Sequence, residues 1–356
     1  MCQIHIVSVA DDNYAQHLGV MMTSLLENSK NSNDITFHIL HDGLSEINKK
    51  KLTEVVSKYH SYINFYLIDK EGFMDFGLRD MSHVAYYKVI IPSVLDYSIS
   101  KAIFLDCDVI VKDDINKLWK MNIDNYHLAA VKDIGFDRHD ELGIPENEIY
   151  FNSGVMLLNL EKWRKENITD AVLNFIRINS KKTTLHDQDA LNAILYNTWY
   201  PLHPKWNQQT KFFDEKITTH GFKQSDRLFA MTNPSIIHYT GPSKPWHYFN
   251  EHPFKKEYFN YLKLSPWKGY TFFEEDLLSN KRLILFGAGS LGLTVLNKCL
   301  RKSLQIDYFV DNDAEKWEEE LEGINIYSPE RLGHELKDEI VVLISSSFCD
   351  EVSNQL

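Results

Sequence analysis

Lys101-Ala102-Ile103-Phe104-Leu105-Asp106-Cys107-Asp108-Val109-Ile110-Val111-Lys112 is an apolar run broken in its middle by two carboxylates. Ala102 to Leu105 and Val109 to Val111 are β-favouring and almost continuously apolar, the pattern of a strand covered on both faces in an α/β sheet. Two uncompensated acids inside such a strand would cost several kcal/mol. Asp106 and Asp108 therefore belong at a strand end, beside a cation or a cationic ligand. A spacing of two in extended chain turns both side chains to one side, with Cα atoms roughly 6 to 7 Å apart, close enough to share one divalent ion. Oxygen ligands of this hardness suit Mn²⁺ or Mg²⁺. A strand-end turn with solvated acids carries the same Asp-x-Asp pattern, so the surrounding chain has to decide between the two.

Towards the N-terminus, Ile4 to Ala10 reads as a first strand, and Ala15 to Asn28 as a helix with apolar positions at Leu18, Met21, Met22 and Leu25. A strand over Ile35 to Leu40, a helix over Ser45 to Tyr59 capped by Ser45, and a strand over Ile63 to Ile68 follow. The amphipathic Val84 to Leu95 segment then leads into the Asp106 strand. Strands alternating with helices predict a parallel α/β sheet with its ligands at the C-terminal strand ends. The Asp11-Asp12-Asn13-Tyr14 turn falls at such an end. It can serve as an ordinary helix cap or as a ligand contact, with Tyr14 offering an aromatic face to a base.

Towards the C-terminus, Phe151-Asn152-Ser153-Gly154 places polar turn-formers before the apolar run Val155 to Leu160. Trp163 to Ile178 has helical periodicity, and His186-Asp187-Gln188-Asp189 opens another helix, where acids also complement the dipole. Ile236-Ile237-His238-Tyr239 ends a short strand and runs into Thr240-Gly241-Pro242-Ser243-Lys244-Pro245-Trp246, a rigid loop carrying one cation. A histidine at a strand end can be a metal ligand or a satisfied structural residue. Phe254 to Leu264 reads as a packed helix with a solvated lysine face, although peripheral membrane contact stays open.

The chain has 356 residues, 44% of them hydrophobic, enough for one large domain and a smaller one. Its formal net charge of -12 argues against nucleic acid or an anionic membrane as main partner. Cys2, Cys107, Cys299 and Cys349 are scattered, which implies neither a disulfide framework nor a cysteine zinc site, and the reducing cytoplasm is the expected compartment. Ile4 to Val9 is too short and too soon interrupted by acids for a signal peptide, and no apolar run approaches a membrane span.

A second unit begins at Lys281 after a plausible linker. Strand Arg282 to Phe286, the Gly287-Ala288-Gly289-Ser290-Leu291-Gly292 loop, a helix to Arg301, strand Ile306 to Val310 and Asp311 give the context that dinucleotide binding requires. Against it, one further strand, Glu339 to Ile344, is all that follows, so the second mononucleotide half is missing. Lys281 to Leu356 also holds 8 basic and 14 acidic residues, a net of -6, which offers no attraction for a phosphorylated cofactor.

Five motifs in order, Ala10-Asp11-Asp12-Asn13-Tyr14, Leu105-Asp106-Cys107-Asp108-Val109, Tyr150-Phe151-Asn152-Ser153-Gly154-Val155, Asp187-Gln188-Asp189 and His238-x-x-Gly241-x-x-Lys244-Pro245-Trp246, resemble glycosyltransferase family 8, which includes bacterial lipooligosaccharide α-galactosyltransferases and glycogenin. The resemblance spans residues 1–265, expected to be the catalytic domain, with 266–280 as linker. It implies a GT-A fold, a UDP-sugar donor, Mn²⁺ (with Mg²⁺ possible in principle) and retention of anomeric configuration. Residues 281–356 resemble Rossmann-like domains appended to other bacterial glycan enzymes.

Carried over residue by residue, the resemblance assigns the metal to Asp106, Asp108 and His238. It assigns donor contacts to Val9, Ala10, Asp11, Asn13, Tyr14, Lys88, Asp106, Cys107, Gly241 and Lys244, and the surroundings of the transferred sugar to Asn152, Asp187 and Gln188. Galactosyltransferases of the family carry Tyr-x-Arg where this chain has Tyr86-Tyr87-Lys88, and lysine keeps the charge while losing the two-pronged grip. The hexose, galactose in preference to glucose, is therefore left open. The expected activity is hexosyl transfer to an oligosaccharide, glycolipid or glycoprotein in bacterial surface-glycan assembly. Because an amide is a poor nucleophile, Gln188 favours front-face substitution, with Asp187 as the fallback nucleophile. A non-catalytic sugar-nucleotide binder or scaffold is the alternative of another class. An NAD-dependent oxidoreductase lacks a catalytic acid, base or substrate domain in the right place, so NAD is not expected.

Overall fold

A computed structural model describes residues 3–69, 83–134, 139–179, 185–214, 222–268, 281–346, 352–353 and 355–356. The chain forms two compact units, Met1–Tyr270 and Thr271–Leu356. Of the linker expected over 266–280, residues 269–280 lie outside the described residues.

In the first unit the strands β1 (Ile4–Val9), β2 (Ile35–His41), β3 (Tyr62–Leu67), β4 (Lys101–Leu105), β5 (Val109–Val111), β6 (Leu128–Lys132), β7 (Phe151–Asn159), β8 (Trp199–Pro201), β9 (Gln208–Gln209) and β10 (Ile236–His238) follow one another. Seven of them make the central sheet, in the order β3-β2-β1-β4-β7-β6-β8. Alternate residues enter two separate cores. Ile4, Ile6, Ile103, Leu105, Val155 and Leu157 join one, under the helices Ala15–Asn28 and Glu46–Lys58. Val7, Val9, Ala102, Phe104, Met156 and Leu158 join the other, with residues of the helices at 160–165, 168–179 and 186–195. This two-faced burial is why the apolar runs are nearly continuous.

Three local expectations need correction. The Lys101–Lys112 run is two strands, since Asp106 to Asp108 carries the chain out of the central sheet into a small sheet of order β5-β10-β9. The central sheet is mixed, because β7 runs antiparallel to both β4 and β6. Asn152 and Gly154 are not a turn before the strand but lie within β7. Their side of β7 is nonetheless irregular: Ala130 pairs with Met156 and Val131 with Asn152, so residues 153–155 have no β6 partner. Such a bulge re-aims side chains, and here it sits at the site.

The helices differ in smaller ways. Val84 to Leu95 is a 3₁₀ segment, His83–Ile90, followed by one turn, Ile91–Val94, with Pro92 at its start. The helix expected over Trp163 to Ile178 is two, Leu160–Lys165 and Ile168–Asn179, broken at Asn167, whose φ of 53° is the left-handed conformation that asparagine tolerates. Ser45 caps its helix as expected, accepting from Asn48 N–H. In the helix Lys255–Leu262, Tyr258, Phe259, Tyr261 and Leu262 are buried, the packed alternative.

The second unit has five strands: β11 (Arg282–Phe286), β12 (Ile306–Val310), β13 (Glu320–Leu321), β14 (Ile324–Tyr327) and β15 (Ile340–Ile344), ordered β13-β14-β12-β11-β15. Two strands were thus not expected from the sequence. The parallel members β14, β12, β11 and β15 have the first half of the doubly-wound order. Its glycine loop is occupied by the unit's own acid, for Asp311 accepts from Ala288 N–H at 2.7 Å and from Asp313 N–H at 2.9 Å.

Candidate active site

Topology brings the motifs together at one edge of the central sheet. β1 and β4 are parallel neighbours and end there, and the Cys107 thiol donates to Val9 O at 3.2 Å, tying the Asp106 turn to the end of β1. β7 enters the same edge from the opposite direction, with Asp106 N–H donating to Gly154 O at 2.9 Å. β10 runs antiparallel to β5, pairing His238 with Val109. Three segments far apart in sequence, the turn between β4 and β5, β7 and β10, therefore deliver Asp106, Asp108, Gly154 and His238 to one place.

His238 Nε2 lies 3.4 Å from Asp108 Oδ1 and 3.8 Å from Asp106 Oδ2. One ligand atom from each of the three residues falls within 4.8 Å of the others, the only such group of three or more acids, histidines or cysteines among the described residues. Two carboxylates and one imidazole nitrogen are a donor set that fits a divalent ion of the Mn²⁺ kind. Gly154 makes room for it: a Cβ there would stand 2.2 Å from His238 Cε1 and 2.6 Å from Asp106 Oδ2.

Two lysines balance the acids. Lys244 Nζ lies 2.5 Å from Asp108 Oδ2 and donates to Tyr239 O at 2.8 Å. Lys88 is buried, with its Nζ 2.9 Å from Asp187 Oδ2 and 3.5 Å from Asp106 Oδ1. Burial alone would raise the Asp108 pKa, but Lys244 and then His238 hold it well below the ordinary carboxylate range. Asp106 goes the other way: burial and the neighbouring Asp108 push it up against the pull of Lys88. For Lys88, burial favours the neutral amine, and Asp106 and Asp187 overcome it, so the ammonium is kept.

Beside this cluster runs a buried polar network. Asp187 accepts from Ser153 Oγ–H at 3.1 Å as well as from Lys88. Gln188 uses both ends of its amide, accepting from Ser153 N–H at 2.9 Å and donating to Asp133 Oδ2 at 3.1 Å. Asn152 donates to that same Asp133 oxygen at 3.0 Å. Asp133, Ser153 and Asn207 were not singled out in the sequence. Ser153 was legible as part of its motif, whereas Asp133 follows β6 and Asn207 precedes β9 with no local pattern to mark them. Asp189, inside the Asp187-Gln188-Asp189 motif, turns away to accept from Tyr150 O–H at 2.7 Å and Leu185 N–H at 2.9 Å, a structural use.

The remaining candidates line the rim. Asp11 accepts from Tyr14 N–H at 2.9 Å, so its turn role is real, while Asn13 and Tyr14 are exposed. Tyr14 meets Trp246 edge-on at 6.2 Å, and His17 stacks on Trp246 at 3.4 Å. These contacts join the first turn to the Lys244 loop, which Gly241 enters with a φ of +87°. The Cys107 side chain is buried away from the acids, and burial followed by the adjacent carboxylates pushes its thiol pKa well up, so only its backbone is available to a ligand.

Residues 5–250 match the family model described as glycosyl transferase family 8, and residues 279–356 match the one described as C2185-like, N-terminal. The chain is 41% identical over 273 residues to general stress protein A of Bacillus subtilis, covering 74% of this chain and 94% of that one. It is 29% identical over 274 residues to an Escherichia coli lipopolysaccharide 1,2-glucosyltransferase, covering 74% and 78% of the two. Among solved structures, the galactosyltransferase LgtC in complex with donor and acceptor sugar analogues superposes with a TM-score of 0.67 at 26% identity, over 76% of this chain and 98% of that one. The mixed sheet with its metal-type cluster at one edge is accordingly a GT-A fold, and the chain belongs to glycosyltransferase family 8.

Proposed function

We propose that this protein is a metal-dependent, retaining hexosyltransferase that moves galactose or glucose from a UDP-sugar to a glycan or glycoprotein acceptor in bacterial surface-glycan assembly. The observation that carries the proposal is the convergence of Asp106, Asp108 and His238 with Lys244 on one side and Asp187, Gln188 and Asn152 on the other. Relatives named as lipopolysaccharide glucosyl- and galactosyltransferases support the acceptor class. Residues 1–265 would be the catalytic domain, and 281–356 would serve acceptor or partner recognition. No helix among the described residues is long and apolar enough to cross a membrane.

Asp106, Asp108 and His238 would hold Mn²⁺ or Mg²⁺, which when bound supplies positive charge for the diphosphate of the departing nucleotide. Lys244, paired with Asp108, would add a second charge to that diphosphate. Tyr14, Asn13 and Asp11 would hold the uridine, with the tyrosine ring against the base, and Val9, Ala10, Cys107 and Gly241 would contribute backbone. Asn152, Asp187, Gln188 and Lys88 would surround the sugar. The Gln188 amide bonds Ser153 and Asp133, while Lys88 and Ser153 both meet the Asp187 carboxylate at Oδ2. An amide is a poor nucleophile, which favours front-face substitution, with Asp187 as the fallback nucleophile: the acceptor hydroxyl oxygen would bond to the anomeric carbon as the bond to the nucleotide phosphate breaks, and that phosphate would take the hydroxyl proton.

The test is UDP release from UDP-galactose and UDP-glucose, with Mn²⁺ and with chelator, for the unaltered protein and Asp108→Asn. Release that needs Mn²⁺ and falls at least ~10²-fold in the variant is expected, the scale of removing one preorganised charge from a reacting centre. Binding of sugar nucleotide without release from any UDP-hexose would make the protein a non-catalytic binder. A hexosyl adduct on Asp187 in the intact-protein mass would overturn front-face substitution.

A further inference from the structure

The proton on His238 is placed by residues outside the cluster it faces. Gly154 N–H donates to Asn152 Oδ1 at 3.1 Å, and a backbone N–H can only donate. The opposite side of the same amide donates from Nδ2 to Asp133 Oδ2 at 3.0 Å, so Asn152 is locked in one orientation from both ends. Asn207 meets the Asn152 oxygen at 2.8 Å and must present its Nδ2 there. That leaves Asn207 Oδ1 facing His238 Nδ1 at 2.9 Å, and an oxygen can only accept. Nδ1 therefore carries a proton, which leaves Nε2, pointing at Asp108 and Asp106, as the ring nitrogen that can ligate.

We propose that Asn207 is a positioning residue of the metal centre: with Asn152 it forms a relay, anchored at Gly154 N–H and the Asp133 carboxylate, that holds His238 in the Nδ1–H tautomer and so keeps Nε2 as the ligand atom. The relay rests on the metal reading proposed above. Asn207 is fully buried, so water does not substitute for its two bonds. Its usefulness lies in offering one donor and one acceptor in a fixed plane. Leucine offers neither, and aspartate offers two acceptors, right for the histidine and wrong for the Asn152 oxygen. The same Asp133 oxygen also holds Gln188, so the ligand histidine and the residue beside the sugar share one anchor.

Two measurements on the full chain test this. Mn²⁺ uptake without sugar nucleotide is followed by loss of the free-ion electron paramagnetic resonance signal. Asn207→Leu should weaken binding about 10- to 100-fold, the scale of removing a hydrogen-bond partner from a ligating histidine, and Asn207→Asp should lose less. The second is the tautomer of His238 in the unaltered, metal-free protein at pH 8, read from histidine ¹⁵N resonances and assigned by the signal missing in His238→Gln. A protonated Nδ1 is expected. An unprotonated Nδ1, or Asn207→Leu binding Mn²⁺ as tightly as the unaltered protein, would overturn the relay while leaving the metal reading intact. Failure of the unaltered protein to take up Mn²⁺ would overturn the metal reading on which the relay depends. Because the tautomer is measured on the unaltered chain, a variant that does not fold does not decide the matter.

Discussion

Gly154 carries no side chain, and the cluster of acids and histidine occupies the space one would need. A methyl group would press on His238 Cε1 and Asp106 Oδ2, and the His238 ring is held in place by Asn207. Gly154→Ala should therefore leave the fold intact and spoil ligand geometry. Mn²⁺ affinity is expected to fall about 10-fold or more, with a far-ultraviolet circular dichroism spectrum like that of the unaltered protein. Unchanged affinity would show that the cluster can shift at no cost. Much of this site was legible residue by residue: Asp106, Asp108, His238, Lys244, Asp187, Gln188 and Asn152 all stand at one sheet edge. Asp133 and Asn207 were not, because each sits beside a short strand whose neighbours are fixed only when β6, β7 and β10 pair.

Arg164, in the helix Leu160–Lys165, shows how an element away from the site holds its approach in place. Its guanidinium donates to the carbonyls of Pro92, Leu95, Asp96, Tyr97 and Ile99, at 2.7 to 3.2 Å, and lies 5.0 Å from the Tyr97 ring centre. These carbonyls belong to the turn and loop that lead into β4. A lysine keeps the charge but replaces a planar fork of donors by one mobile ammonium, which cannot reach five oxygens at once. Arg164→Lys should cost about 2 kcal/mol, read as a lower urea midpoint at unchanged slope. A shift of a few tenths would mean that water satisfies the loop equally well. At this scale the sequence was informative about burial and poor about direction. Apolar runs in β4 and β7 look alike whether they run parallel or antiparallel, the bulge at 153–155 exists only relative to β6, and the break at Asn167 follows from one dihedral angle.

For the whole molecule, two buried histidines make stability depend on pH. Burial, and for His38 also the neighbouring His5, holds the pKa of His38 at about 4, and burial alone holds that of His252 at about 4, against an ordinary 6.5. In the unfolded chain both take up a proton near pH 6.5, while in the fold they stay neutral. Below pH 6.5 the unfolded state therefore binds more protons, so stability is greatest above that pH and declines as pH falls towards 4. Between pH 7 and 5.5 each of the two should contribute about 1 kcal/mol to the loss measured by urea unfolding, and His252→Gln should lessen that loss by about 1 kcal/mol. A flat profile would mean that the rings take up protons in the fold as readily as in the unfolded chain.

The acidic balance of the chain, -12 overall, is not left raw at the site, since Lys244 already sits on the Asp108 oxygen. The Asp108 carboxylate is divided between two partners, Oδ2 facing the Lys244 ammonium and Oδ1 the His238 ring, so a divalent ion bound there would share it with a cation already in place. That ammonium is tethered on the loop that Trp246 pins to the first helix, and would stand beside any diphosphate that accompanied the ion.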